Sequence, residues 1–163
     1  MPPTIRLATE ADLGAINDIY NHYVLTSTTT YQEVPSTPDE RLAWFRKREP
    51  RHVVTVAEID GAVVGWASLN VFRERSAYRF STENSVYVRH DMHRRGIGSV
   101  LLADQIERAK QSGFVTIVAG IDAAQSASIA IHAKHGFVEV GRFTKIGRKF
   151  DRWLDVVFMQ RMV

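Results

Sequence analysis

A strand that runs through a basic glycine loop into a helix constrains this chain more than any other stretch. Residues 83–103 read E-N-S-V-Y-V-R-H-D-M-H-R-R-G-I-G-S-V-L-L-A. Val86 and Val88 flank Tyr87 in a β-rich segment, and four of the next six loop residues, 90–95, are His or Arg. From Gly96-Ile97-Gly98 onward, Ile97, Val100, Leu101, Ala103 and Ile106 recur near the helical period, which predicts an amphipathic helix. The first turn of any helix carries N–H groups without intrahelical partners, and the macrodipole adds positive charge there. Glycines at 96 and 98 let an anion approach the backbone closely. Arg94 and Arg95 place full charges beside those dipoles. The chemistry suits phosphate capture. The same residues also describe a helix start with two turn glycines.

Two common phosphate motifs do not fit. A P-loop requires G-x-x-x-x-G-K-S/T, and this stretch has neither the spacing nor the lysine. A dinucleotide fingerprint requires a third glycine where Leu101 stands.

The remaining chain bounds the function class. Its 163 residues suit one domain, over 1–163, with a sizeable core. No apolar run reaches membrane-spanning length, and the Met-Pro-Pro-Thr start lacks the basic and apolar regions of a secretory leader. With no cysteine, disulfides, thiolate metal sites and a thiol nucleophile are excluded, and a cytoplasmic location is expected. The net charge of +3 is scattered, without a basic run interleaved with aromatics, so a nucleic-acid partner is not expected. His90/His93 and His132/His135 have no third ligand at recognisable spacing, so no metal is expected.

In chain order, residues 5–8 read as a strand. Thr9-x-x-Asp12 caps a helix whose apolar face includes Leu13, Ile16, Ile19, Tyr20 and Tyr23. A threonine-rich loop follows over 26–35. Thr37-Pro38-Asp39-Glu40 starts a second helix, with Leu42 and Phe45 facing inward. Strands at 53–59 and 62–70 flank an Asp60-Gly61 hairpin turn, and 72–80 is a polar loop. The glycine-loop helix ends at Gly113, 115–121 is a buried strand, and 126–135 is a helix stopped by Gly136. Two closing strands, 137–143 and 154–162, surround a loop over 144–153.

This order, β-α-α-β-β-β-α-β-α-β-β, together with V-Y-V, the basic loop and G-I-G, resembles the GCN5-related N-acetyltransferases. Their signature Q/R-x-x-G-x-G/A aligns with residues 93–98, with His93 at the Gln/Arg position. The segments I-Y-N-H-Y-V, T-E-N-S-V-Y-V, I-H-A-K-H-G-F and R-W-L-D-V-V-F-M-Q are similar to the phosphinothricin and methionine sulfoximine acetyltransferase branch. The resemblance implies an α/β (α+β) fold, a mixed and mostly antiparallel sheet flanked by helices and splayed at an acetyl-CoA site. It implies that Val86, Tyr87 and Val88 lie beside the acetyl and pantetheine end, their amides stabilising the developing oxyanion. Arg94, Arg95, Gly96, Ile97, Gly98 and Ser99 hold the diphosphate, and Gln125 and Lys134 touch the coenzyme.

Transfer to an amine requires that the ammonium first lose a proton. The resemblance makes Glu83 the base and His132 the donor to the leaving thiolate. Read without it, they are a solvated strand-end carboxylate and an ordinary helix histidine. For the acceptor, it implies binding by Arg73, Glu74, Arg75, Glu83, Asn84 and Ser85, with Tyr78 and Phe80 walling the pocket. An arginine there pairs with an amino-acid carboxylate. A solvated charged loop is the plainer alternative. A homodimer acting on a small amino-acid-like acceptor is expected. A peptide acetyltransferase and a non-catalytic acyl-CoA sensor are the competing readings.

Overall fold

Asp60 and Gly61 both lie at positive φ, 50° and 77°, the paired left-handed conformation of a two-residue hairpin turn. The computed structural model describes all 163 residues. The turn joins β2 (Val54–Ile59) to β3 (Ala62–Val71). β1 (Thr4–Leu7) pairs with β2, and β4 (Ser81–Val88) with β3, both antiparallel. β5 (Thr116–Asp122) runs parallel to β4. β7 (Arg152–Met162) is antiparallel to β5, and β6 (Val138–Lys149) forms the outer edge. The sheet order is β1-β2-β3-β4-β5-β7-β6, so β4–β5 is the one parallel pair. Four helices flank it: α1 (Leu13–Thr26), α2 (Pro38–Arg46), α3 (Ile97–Gln111) and α4 (Ser126–Lys134). The mixed, mostly antiparallel sheet and the element order agree with the sequence. No helix is long and apolar enough to cross a membrane.

Strand alternation sends side chains to two layers. Val54, Val56 and Trp66 pack against Leu13, Ile16, Ile19 and Tyr23 of α1. On the other face, Ala67 packs with Ile97 and Leu101 of α3, and Leu69 with Leu102. Gly65 lets α3 sit close: a Cβ there would lie 3.0 Å from the Tyr87 carbonyl oxygen and 3.1 Å from Leu101 Cδ1. The expected cap of α2 is present, with Glu40 N–H donating to Thr37 Oγ1 at 3.2 Å and Thr37 N–H to Glu40 Oε2 at 2.8 Å.

Two expectations are corrected. The buried stripe of α3 is Ile97, Leu101, Leu102, Gln105 and Ala109. Val100 is 41% exposed, and Ala103 also faces solvent. A polar residue takes an inward slot because backbone carbonyls of the sheet satisfy it. The second correction concerns 144–153, which is strand through most of its length. The hairpin turns only at Phe150 and Asp151, at φ 51° and 57°. These two carry no glycine signal, and register shifts at 139–141 and 143–147 break the alternation.

The end of β6 also fixes the loop after α1. Lys149 is 2% exposed, and its ammonium donates to the carbonyls of Ser27 at 2.7 Å and Thr30 at 2.8 Å. The Ser27 carbonyl belongs to the C-cap of α1, and the Thr30 carbonyl to the loop that follows.

Candidate active site

The pairing of β4 with β5 stops at Glu83 and Val118. Beyond that point a cavity of about 70 Å³ opens between 84–87 of β4 and 119–122 of β5, closed by Gln125, Ser128 and His132. The predicted splay is therefore a feature of the sheet.

The start of α3 lies between the end of β4 and α4. Gly96 has φ 77° and Arg94 φ 60°. The first intrahelical bond runs from Val100 N–H to the Gly96 carbonyl at 3.1 Å. The amides of Ile97, Gly98 and Ser99 precede it and have no intrahelical acceptor. Arg94 and Arg95 are exposed next to them. A Cβ on Gly98 would meet Val88 Cγ2 at 3.6 Å and Ile131 Cδ1 at 3.7 Å, so the helix start packs at contact distance against the end of β4 and against α4. Ser99 Oγ instead meets His135 Nε2 at 2.7 Å.

His93 is exposed but tied to Tyr23 of α1. Tyr23 donates its hydroxyl proton to the Val88 carbonyl, so His93 Nε2, 2.6 Å from the phenol oxygen, is the donor there. Burial pushes the Tyr23 phenol up to about 12, which keeps that proton in place. The residue at the family's Gln/Arg position thus braces α1 against the end of β4.

A hydrogen-bonded relay sets the protons on the α3–α4 side. Gln105 uses both amide protons on the carbonyls of Ser68 at 2.9 Å and Ser85 at 3.1 Å. Its oxygen must then accept from Asn84 Nδ2 at 3.3 Å, and the other Asn84 proton points to His132 Nε2 at 3.0 Å. His132 Nδ1 donates to the Ser128 carbonyl at 2.8 Å. Burial holds the imidazole below its ordinary pKa and therefore neutral, although the Ser128 contact opposes this. His132 consequently faces the cavity with a lone pair already committed to Asn84. In this arrangement both ring nitrogens are hydrogen-bonded within the protein. Asn84 stands beside it, in the lining of the same cavity. Strand alternation turns it to the helix side, away from Glu83 and Ser85, and leaves its Oδ1 buried without a partner.

Glu83 lies on the opposite face. Its Oε1 lies 3.7 Å from where a Cβ on Gly120 would stand, at the edge of the same gap. Burial raises its pKa, and the charge of Arg73 works against that rise. Asn70 Nδ2 holds the strand here, 3.2 Å from both the Glu83 carbonyl and Ser85 Oγ. A second cavity of about 280 Å³ opens on this face, between Trp66, Ser68, Asn70, Ser85 and Tyr87 of the sheet and Tyr20, Arg41 and Trp44 of the helices. Ser85 and Tyr87 line both cavities, so the two meet across β4.

The loop residues Arg73, Glu74 and Arg75 are exposed, as are Tyr78 at 43% and Phe80 at 46%. None of the five lines either of these two cavities. Arg73 acts on Glu83 through its charge alone. Lys134 is exposed on the last turn of α4. Gln125 reaches Thr28 Oγ1 at 3.4 Å. Asp122, which the sequence reading missed, accepts from Thr28 at 2.6 Å and Tyr31 at 2.8 Å. An acid ending an apolar strand was the available signal. Gln105 on an apolar helix stripe was another.

No three His, Asp or Glu side chains are grouped as metal ligands would be.

Comparison with known proteins agrees with this geometry. The acetyltransferase (GNAT) family pattern matches residues 16–137. An L-methionine sulfoximine/L-methionine sulfone acetyltransferase of Salmonella typhimurium is 40% identical over 159 residues, covering 96% of this chain and 92% of that protein. A solved phosphinothricin acetyltransferase of Sinorhizobium meliloti, in complex with AcCoA, has a TM-score of 0.96 at 38% identity, covering 100% of this chain and 89% of that one. A ribosomal-protein-alanine N-acetyltransferase from Brucella melitensis has a TM-score of 0.96 at 42% identity, covering 98% and 99%. Its sheet, its glycine loop and these likenesses agree: the chain belongs to the GNAT family of acetyltransferases.

Proposed function

We propose that this chain, as one N-acetyltransferase domain, moves an acetyl group from acetyl-CoA to the α-amine of a small amino-acid-like acceptor. Methionine sulfoximine, methionine sulfone and phosphinothricin represent the acceptor class. The observation that carries the reading is the meeting of two cavities at Ser85 and Tyr87, one in the gap between β4 and β5 and the other on the Glu83 face. The names of the Salmonella and Sinorhizobium relatives support the same acceptor class and coenzyme.

Acetyl-CoA supplies the activated acetyl thioester. The free amides of Ile97, Gly98 and Ser99, with Arg94 and Arg95, bind its diphosphate. The backbone of Val86, Tyr87 and Val88 lies along the thioester end, with Gln125 and Lys134 at the rim. The unpartnered Oδ1 of Asn84 fits a pantetheine amide N–H, which would satisfy an acceptor that is costly to leave bare. Glu83 takes the ammonium proton directly or through water, and its raised pKa strengthens it as a base. Arg73 and Arg75 receive the acceptor carboxylate, with Glu74 and Ser85 beside it. His132 fixes Asn84.

The exposed loop at 72–80 favours a second reading, transfer to a protein N-terminus, which the Brucella protein's name also supports. A thiol-release assay separates the two. Coenzyme A release with methionine sulfoximine or phosphinothricin is expected, and release with peptides alone would replace the first reading by the second.

We also propose a homodimer. On the outer strand β6, Val138, Val140, Phe143 and Ile146 are between 51% and 62% exposed. An open edge strand with apolar side chains is a pairing surface. Sedimentation equilibrium should give twice the chain mass; a monomer at micromolar concentration would contradict this.

A further inference from the structure

Arg41 lies on the second turn of α2 and is only 6% exposed. Its guanidinium carbon lies 4.7 Å from the ring centroids of Tyr20 and Trp44, and 5.6 Å from that of Trp66. Of its five N–H donors, one is used: Nε donates to Asn17 Oδ1 at 3.1 Å. No carboxylate pairs with it. The nearby Glu40 carboxylate accepts from Thr37 N–H at 2.8 Å. Arg48 makes the contrast plain. It spends its donors on the His52 carbonyl at 2.9 Å, Asn70 Oδ1 at 3.1 Å and the Leu69 carbonyl.

The terminal nitrogens of Arg41 have no protein partner and are not sealed from the 280 Å³ cavity it lines. A buried cation without an anion is costly, and stacking on aromatic faces offsets part of that cost. The Arg41 donors face a space also lined by Glu40, Ser68 and Ser85; Ser68 donates its hydroxyl to Asn70 Oδ1, while Ser85 Oγ accepts from Asn70 Nδ2 and keeps its own proton available. The cavity reaches Ser85, on the Glu83 face where the proposed site holds the acceptor.

We infer that this cavity receives an anionic head on the acceptor's side chain, and that Arg41 is the residue selecting a charged head over a neutral one. The inference rests on the proposed placement of the acceptor on the Glu83 face. The α-carboxylate stays with Arg73 and Arg75 outside, while the side chain enters the cavity and presents phosphinate or carboxylate oxygens to the guanidinium fork. Phosphinothricin, with an anionic phosphinate, is therefore preferred to methionine sulfone, whose head is neutral.

Trp44 and Trp66 line the cavity, and the third tryptophan, Trp153, lies far along the chain in β7. Tryptophan fluorescence, titrated with each ligand with and without coenzyme A, reads binding apart from turnover. The wild-type protein should bind phosphinothricin at least about tenfold more tightly than methionine sulfone. Arg41→Gln should abolish that preference. Arg73→Gln should weaken both ligands alike and keep it. If Arg41→Gln does not melt cooperatively, Arg41→Lys takes its place and should weaken phosphinothricin selectively, because it lacks the planar fork. Equal affinities in the wild-type protein, no binding of either ligand, or a preference that survives the change at Arg41 overturns the inference. Coenzyme A release from the same samples keeps the two claims apart. Equal turnover of both acceptors, unaltered by Arg41→Gln, sinks the inference and leaves the acetyltransferase reading standing. A binding preference with release on peptides alone does the reverse.

Discussion

Glu83→Gln lowers turnover by about 10²- to 10³-fold and changes acetyl-CoA affinity by less than about threefold. The amide is isosteric and leaves the Asn70 contact with the Glu83 carbonyl untouched. Only the ability to take a proton is lost, from a side chain on the acceptor face and outside both cavity linings. The sign of the pH dependence follows from burial. The base works ionised, and burial raises its pKa despite the charge of Arg73. Activity therefore falls, as pH drops, earlier than an ordinary glutamate would dictate. The limb belonging to the carboxylate disappears in the Gln variant. Initial rates of thiol release across the acid range, with calorimetric titration of the coenzyme, measure both parts. Unchanged turnover would remove Glu83 from the chemistry.

Gly98→Glu lowers acetyl-CoA affinity by about 30-fold or more while leaving the fold as stable as before, or more so. The two effects have opposite signs for one physical reason. A carboxylate in the first turn of α3 complements the helix dipole, and replacing a helical glycine adds about 0.5–1 kcal/mol of helix propensity. The Cβ itself fits, with its nearest neighbours at 3.6 and 3.7 Å. The same carboxylate occupies the amides of Ile97 and Ser99 and repels a diphosphate. Urea unfolding and calorimetry on one preparation give both numbers. Lost stability with retained affinity would place the coenzyme elsewhere.

The sequence made the architecture legible where local chemistry and tertiary structure agree. Asp60-Gly61, Thr37-Pro38-Asp39-Glu40, Gly113 and Gly136 mark element ends by their own conformational preferences, and the structure places ends there. Phe150 takes a left-handed conformation against its preference, with Asp151 beside it, held by long strands on both sides, so the loop expected at 144–153 is mostly strand. The glycine loop was readable because an anion site at a helix start needs small residues and charge close together in sequence. The Gln105–Asn84–His132 relay was not. Its members lie on α3, β4 and α4, and the proton on His132 depends on two sheet carbonyls more than 40 residues away in sequence. Arg41 was hidden for a similar reason. In the sequence it is one more charged residue on a short amphipathic helix, and only the packing of Tyr20, Trp44 and Trp66 around it makes it a buried cation.

The most direct measurement is a crystal structure of the protein with acetyl-CoA. The account predicts diphosphate density on the amides of Ile97, Gly98 and Ser99, the pantetheine arm in the gap between β4 and β5, and the thioester beside Tyr87 within reach of the Glu83 face. Density for the coenzyme outside that gap, or none at saturating concentration, would contradict it.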